Sequence, residues 1–191
     1  MSQNVTELSP IVPEFETLSL LLASDQLSIF FPILQKGVMV PATVGCTLKS
    51  LLCDQFAIPA DYVSDRITTI FVDNCPVDDL DRTVIQDGSR VTLSAAMPGL
   101  VGATMRRGGY YAALRQGISH VLDSGKASNE CGIVHLKLFN LLLTELGSLI
   151  LARGLLLKSE ELTALLKNLP ELPISTHYGA GRTLLSVTFR E

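Results

Sequence analysis

Residues 98–109, PGLVGATMRRGG, carry the densest chemical signal in the chain. Gly99, Gly102, Gly108 and Gly109 leave backbone N–H groups open to close approach, and Arg106 and Arg107 add fixed positive charge. A helical pattern resumes at Tyr110. Backbone donors, guanidinium groups and a helix start together suit a phosphate or a carboxylate. The stretch lacks the G-K-S/T ending of a phosphate loop and the G-x-G-x-x-G of a dinucleotide loop. The same composition also suits a plain linker. Two readings therefore stand side by side: a linker, or an anion or partner contact made by Gly99, Gly102, Arg106, Arg107, Gly108 and Gly109.

Other reactive residue types do not assemble into a pattern. His120, His135 and His177 with Cys131 match no zinc spacing, and His135 reads as a satisfied core histidine. Asp73, Asp78, Asp79 and Asp81 lack the spacing of an EF-hand and read as a solvated turn. There is no G-x-S-x-G elbow. No catalytic residue, metal or cofactor is expected. Cys46, Cys53, Cys75 and Cys131 form no CxxC pair, so they read as free thiols, small and buried, in a reducing cytoplasm.

The 191 residues carry a net charge of −4 and are 47% hydrophobic, without Trp. A core of Leu, Ile, Val and Ala follows, and the composition argues against disorder. Apart from Arg106-Arg107 there is no basic stripe, so no nucleic-acid partner is expected. The N-terminus lacks the basic start of a signal peptide. The most apolar stretch, Ile133–Leu157, is interrupted by His135, Lys137, Asn140, Glu145 and Arg153, so no membrane span is expected.

These residues need elements to hold them. Residues 1–24 read as a loose arm and a short helix over Phe15–Ala23. Leu27, Ile29, Phe31 and Ile33 alternate, which predicts a strand paired in a hairpin with Val38–Ala42. Leu48, Leu51, Leu52 and Phe56 share a helical face over Thr47–Ala57, with Thr47 as N-cap. Thr69–Val72 and Arg90–Ala95 read as strands, the second entered through the Asp87-Gly88 turn. Leu48, Leu51, Leu52, Ile70, Val72, Val91 and Leu93 are the predicted core of residues 25–97. Beyond the 98–109 loop, residues 110–191 read as mainly α-helical: Tyr110–Leu122, one long helix over Ile133–Arg153 that is buried or forms a dimer, a helix capped by Ser159, and a terminal strand over Thr183–Phe189.

The predicted order over residues 27–96 is that of a β-grasp. Ile70-Phe71-Val72-Asp73-Asn74-Cys75-Pro76-Val77, then Leu80, then Asp87-Gly88-Ser89-Arg90-Val91, resembles the sulfur-carrier branch of the ubiquitin-like superfamily, the molybdopterin-synthase small subunit and the thiamine sulfur carrier. The resemblance implies an α+β fold with a mixed sheet around one helix. It also implies a carrier or interaction role. Arg106-Arg107-Gly108-Gly109 resembles the ubiquitin tail, although the chain continues well past Gly109. The expectation is a non-enzymatic module that binds a protein partner or a second copy of itself. The rival expectation is a small-anion-binding or enzymatic domain that uses residues 98–111.

Overall fold

A computed structural model describes residues 15–115, 118, 130–169 and 181–190. The fold is α+β, built on one mixed sheet of eight strands. The strands are β1 (Glu16–Ala23), β2 (Val38–Val44), β3 (Thr69–Val72), β4 (Cys75–Pro76), β5 (Arg90–Ser94), β6 (Glu130–Phe139), β7 (Leu155–Lys158) and β8 (Arg182–Arg190). Their spatial order is β1-β8-β7-β2-β6-β5-β3-β4. β5 runs parallel to β6 and β1 parallel to β8, while the other neighbours are antiparallel.

Period-2 alternation sets the faces. Val38, Val40, Ala42 and Val44 of β2 are buried, as are Val134, Leu136 and Leu138 of β6 and Val91 and Leu93 of β5. Their register places them on one face. The seven core residues predicted for 25–97 are all fully buried. Thr47 caps α2 (Leu48–Ser50), its hydroxyl accepting from the Ser50 N–H at 3.2 Å, and the helix continues as a π turn over Leu51–Gln55. Further helices are α1 (Phe31–Lys36), α3 (Ala60–Asp65), α4 (Gly99–Met105), α5 (Leu142–Arg153) and α6 (Ser159–Leu166). Among the described residues no helix is long and apolar enough to cross a membrane.

Several expectations are corrected. Phe15–Ala23 is not a helix but the strand β1, because Leu18, Leu20 and Leu22 alternate and face the core. Leu27–Leu34 is not a hairpin strand: it falls in a 3₁₀ turn over Ser24–Phe30 and then in α1, whose second residue is Pro32. Proline's fixed φ and missing N–H fit the first helical turn. The partner of β2 is instead β6. Ile133–Arg153 is not one helix, since β6 ends at Phe139 and Asn140 turns the chain at φ 59° before α5 begins. The described residues of 110–191 are therefore not mainly helical, because β6, β7 and β8 lie there. Nor do 25–97 and 110–191 divide the sheet, since β6 sits between β2 and β5. Ser159 does not cap α6 but begins it, its hydroxyl donating to the Gly181 carbonyl. Of the cysteines, Cys46 is buried while Cys131 is exposed. The N-terminal arm, His120 and His177 lie outside the described residues.

The sheet has a seam. β7 meets β2 only at Leu156↔Met39, so β2 loses its neighbour beyond that point. A side chain replaces the missing strand. The Gln55 carbonyl accepts the Thr43 N–H at 2.7 Å, and its amide donates to the Thr43 carbonyl at 2.8 Å. Arg153 donates to the Gln55 and Pro41 carbonyls and lies 5.2 Å from the Phe56 ring centroid. On the helical side, Glu145 of α5 accepts from Arg66 and from Tyr62 of α3. First the Arg66 and then the Tyr62 hydrogen bond holds the Glu145 carboxyl below its ordinary range.

Candidate functional site

The segment from Pro98 to Arg115 is not an open loop. Gly99 takes φ 73°, a left-handed conformation that favours glycine, and α4 follows. Gly102 is buried against the Met97 backbone, where an added Cβ would lie 1.8 Å from the Met97 carbonyl oxygen. No other residue fits there. After α4 the chain turns through Gly108, at φ 62°, into a 3₁₀ turn over Tyr110–Arg115 that packs back on α4. The two form one small helical unit.

Arginines pin this unit to the sheet domain. The Arg107 N–H donates to the Thr68 carbonyl at 2.8 Å, and its guanidinium donates to the carbonyls of Val63 at 2.7 Å and Ser64 at 3.3 Å. These carbonyls belong to the last turn of α3, where a cation is favoured. Burial lowers the Arg107 pKa while Asp78 opposes the shift. Arg115 is 4% exposed. It donates to the Thr104 carbonyl at 2.7 Å and to the Asp78 carboxylate at 2.6 Å. The arginine thus joins α4 to the turn after β4. Arg115 escaped the sequence reading because nothing local marks it; its Arg–Asp pairing spans 37 positions.

The six expected contact residues separate. Gly99, Gly102 and Arg106 line one shallow pocket of about 320 Å³ with Thr68 and Ala95. Arg107 is drawn away from it to α3. Gly108 is exposed and Gly109 half-buried at the following turn. Among the described residues lining the pocket, Arg106 is the one arginine, and it is exposed. The acidic turn is also committed locally. Asp78 meets Arg115, Asp79 accepts the N–H groups of Asp81 and Arg82, Asp81 pairs with Lys49, and Asp73 accepts the Arg90 N–H.

What the unit presents to solvent is apolar. Tyr110 is 92% exposed, Leu114 75% and Leu100 72%, and Val101, Tyr111 and Ile118 are exposed beside them in sequence. The Tyr110 and Tyr111 rings meet edge to face at 5.1 Å. Residues 98–118 contain no Asp or Glu. Comparison of the chain with protein-family models, with curated proteins and with solved structures found no match.

Proposed function

We propose that this protein is a ubiquitin-like interaction module, a β-grasp of permuted connectivity that presents its 98–118 unit to a protein partner. The fold part of the reading rests on topology. In a β-grasp the first and last strands lie parallel at the centre, with the second strand outside the first. Here β2, β6, β5, β3 and β4 lie in that order, with β6 parallel to β5 and antiparallel to β2. β6 thus occupies the place of a first strand that has moved behind the last.

One observation carries the interaction role: a segment without Asp or Glu of its own, anchored by Arg107 and Arg115, whose exposed large side chains are mostly apolar. Exposed Tyr, Leu and Val residues are costly to leave in water, and Tyr and Arg dominate binding hot spots. Arg106 at the rim favours a partner with an apolar recess edged by carboxylates. The carrier role is less favoured. A sulfur carrier uses a free Gly-Gly end, whereas Gly108-Gly109 lies between α4 and the 3₁₀ turn, ahead of β6 in the same sheet.

The test places a photo-crosslinking residue at Tyr110 in the full chain. Discrete adducts with a partner, lost when Leu114→Asp and Leu100→Asp are added, are the expected result. Adducts unchanged by those substitutions, or none above background, overturn the interaction reading.

A further inference from the structure

A second site lies at the β2–β7 seam, away from the 98–118 unit. A cleft of about 450 Å³ opens there between α1, α6 and the strand ends. Small-molecule sites usually measure about 300–1,000 Å³. Register sets its floor: Leu156, Met39 and His135 stand side by side across β7, β2 and β6. Two positions further along β7, Lys158 stands directly opposite Arg182 of β8, on the same sheet face as Leu156.

Like charges directly opposite in a sheet repel. Neither Lys158 nor Arg182 forms an ion pair among the described residues. Lys36 adds a third cation to the cleft wall. Among the described residues the wall's one carboxylate is Glu161, 4.0 Å from Lys36 with both side chains well exposed, a weak pair that leaves these residues with net positive charge. Glu160, next on α6, lines a different recess. In a chain of net charge −4, this concentration of cations beside an apolar floor requires a reason.

We propose that the cleft binds an amphiphilic organic anion, an acidic head group on an apolar body of about eight to ten carbons. The Arg182 fork and the Lys158 ammonium receive the head, relieving their mutual repulsion. The His135 imidazole and the Asn168 amide, both lining the cleft, supply further hydrogen bonds. Met39 and Ile33 receive the body, above the fully buried Leu156. An inorganic anion leaves that floor wet, and a neutral alkyl compound leaves the cation pair unmatched.

Calorimetric titration of the full chain tests the proposal with octyl phosphate, octanoate, octanol and inorganic phosphate. At least one of the two amphiphilic anions is expected to bind one-to-one, at least tenfold more tightly than octanol or inorganic phosphate. The phosphate and carboxylate probes distinguish the head groups. Lys158→Gln with Arg182→Gln should weaken binding at least tenfold without lowering the melting temperature of the free protein. Met39→Asp, which keeps both cations, should weaken it similarly. Leu114→Ser should bind as wild type does. Unchanged binding in the double variant, equal binding of octanol, a lowered melting temperature on removing the cations, or loss of binding in Leu114→Ser overturns the assignment.

Discussion

Gln55→Ala tests the seam directly. In the native chain the Gln55 amide completes the hydrogen bonding of Thr43 as a neighbouring strand would, at 2.7 and 2.8 Å. It also donates to the Cys46 sulfur at 3.2 Å. Removing the amide leaves the Thr43 N–H without its partner and leaves the Thr43 carbonyl only the weak Cys46 thiol donor at 3.2 Å. A buried orphan of this kind costs about 1–3 kcal/mol. Thr43 is half-buried, so water recovers part of the loss, and the net expectation is about 2 kcal/mol. Urea denaturation should show a lower midpoint with an unchanged slope. Hydrogen exchange at the Thr43 amide should accelerate in parallel. Gln55→Glu sharpens the test. An ionised carboxylate still accepts from the Thr43 N–H but opposes the Thr43 carbonyl, and only the protonated form donates to it. The folded-state pKa of Glu at this position should rise, so its stabilising contribution is present at low pH and is lost as pH rises through that pKa. A Gln55→Ala midpoint within about 0.5 kcal/mol of wild type, with unchanged exchange at Thr43, refutes the account.

The two neighbouring arginines should behave differently. Arg107→Ala should lower the denaturation midpoint and open the 98–115 unit to proteolysis at Tyr110, whereas Arg106→Ala should leave both unchanged; equal effects would mean that the α3 clamp is misassigned. The Glu145 carboxyl, lowered in the fold by Arg66 and Tyr62, contributes stability that is present above its unfolded pKa and lost as pH falls through the folded value. Glu145→Gln should therefore flatten the acid limb of a stability-against-pH curve, and an unaltered limb would remove the α3–α5 link from the account.

Local physics was legible where one period ruled. Thr47 caps its helix, Gly88 at φ 79° makes the turn before β5, and Leu48, Leu51, Leu52, Ile70, Val72, Val91 and Leu93 enter the core. Nearest-neighbour chemistry decides such features. Continuous apolar runs were not legible in the same way. Between Ile133 and Arg153 the alternation of Val134, Leu136 and Leu138 passes into the helical spacing of Leu142, Leu146 and Ile150, and only the left-handed Asn140 marks the join. Leu18, Leu20 and Leu22 are equally ambiguous, and pairing with β8 some 167 positions away makes them a strand. The sites follow the same division. The composition of residues 98–109 singled out Arg106 and Arg107, but only the approach of α3 commits Arg107 to carbonyls while Arg106 stays exposed. Arg115 and Asp78, like Lys158 and Arg182, lie far apart in the chain and close in the fold. The sequence alone determined which residues could be buried, capped or charged. Which of them meet was decided by sheet register, because hydrogen-bonded pairing between distant strands carries no local signature.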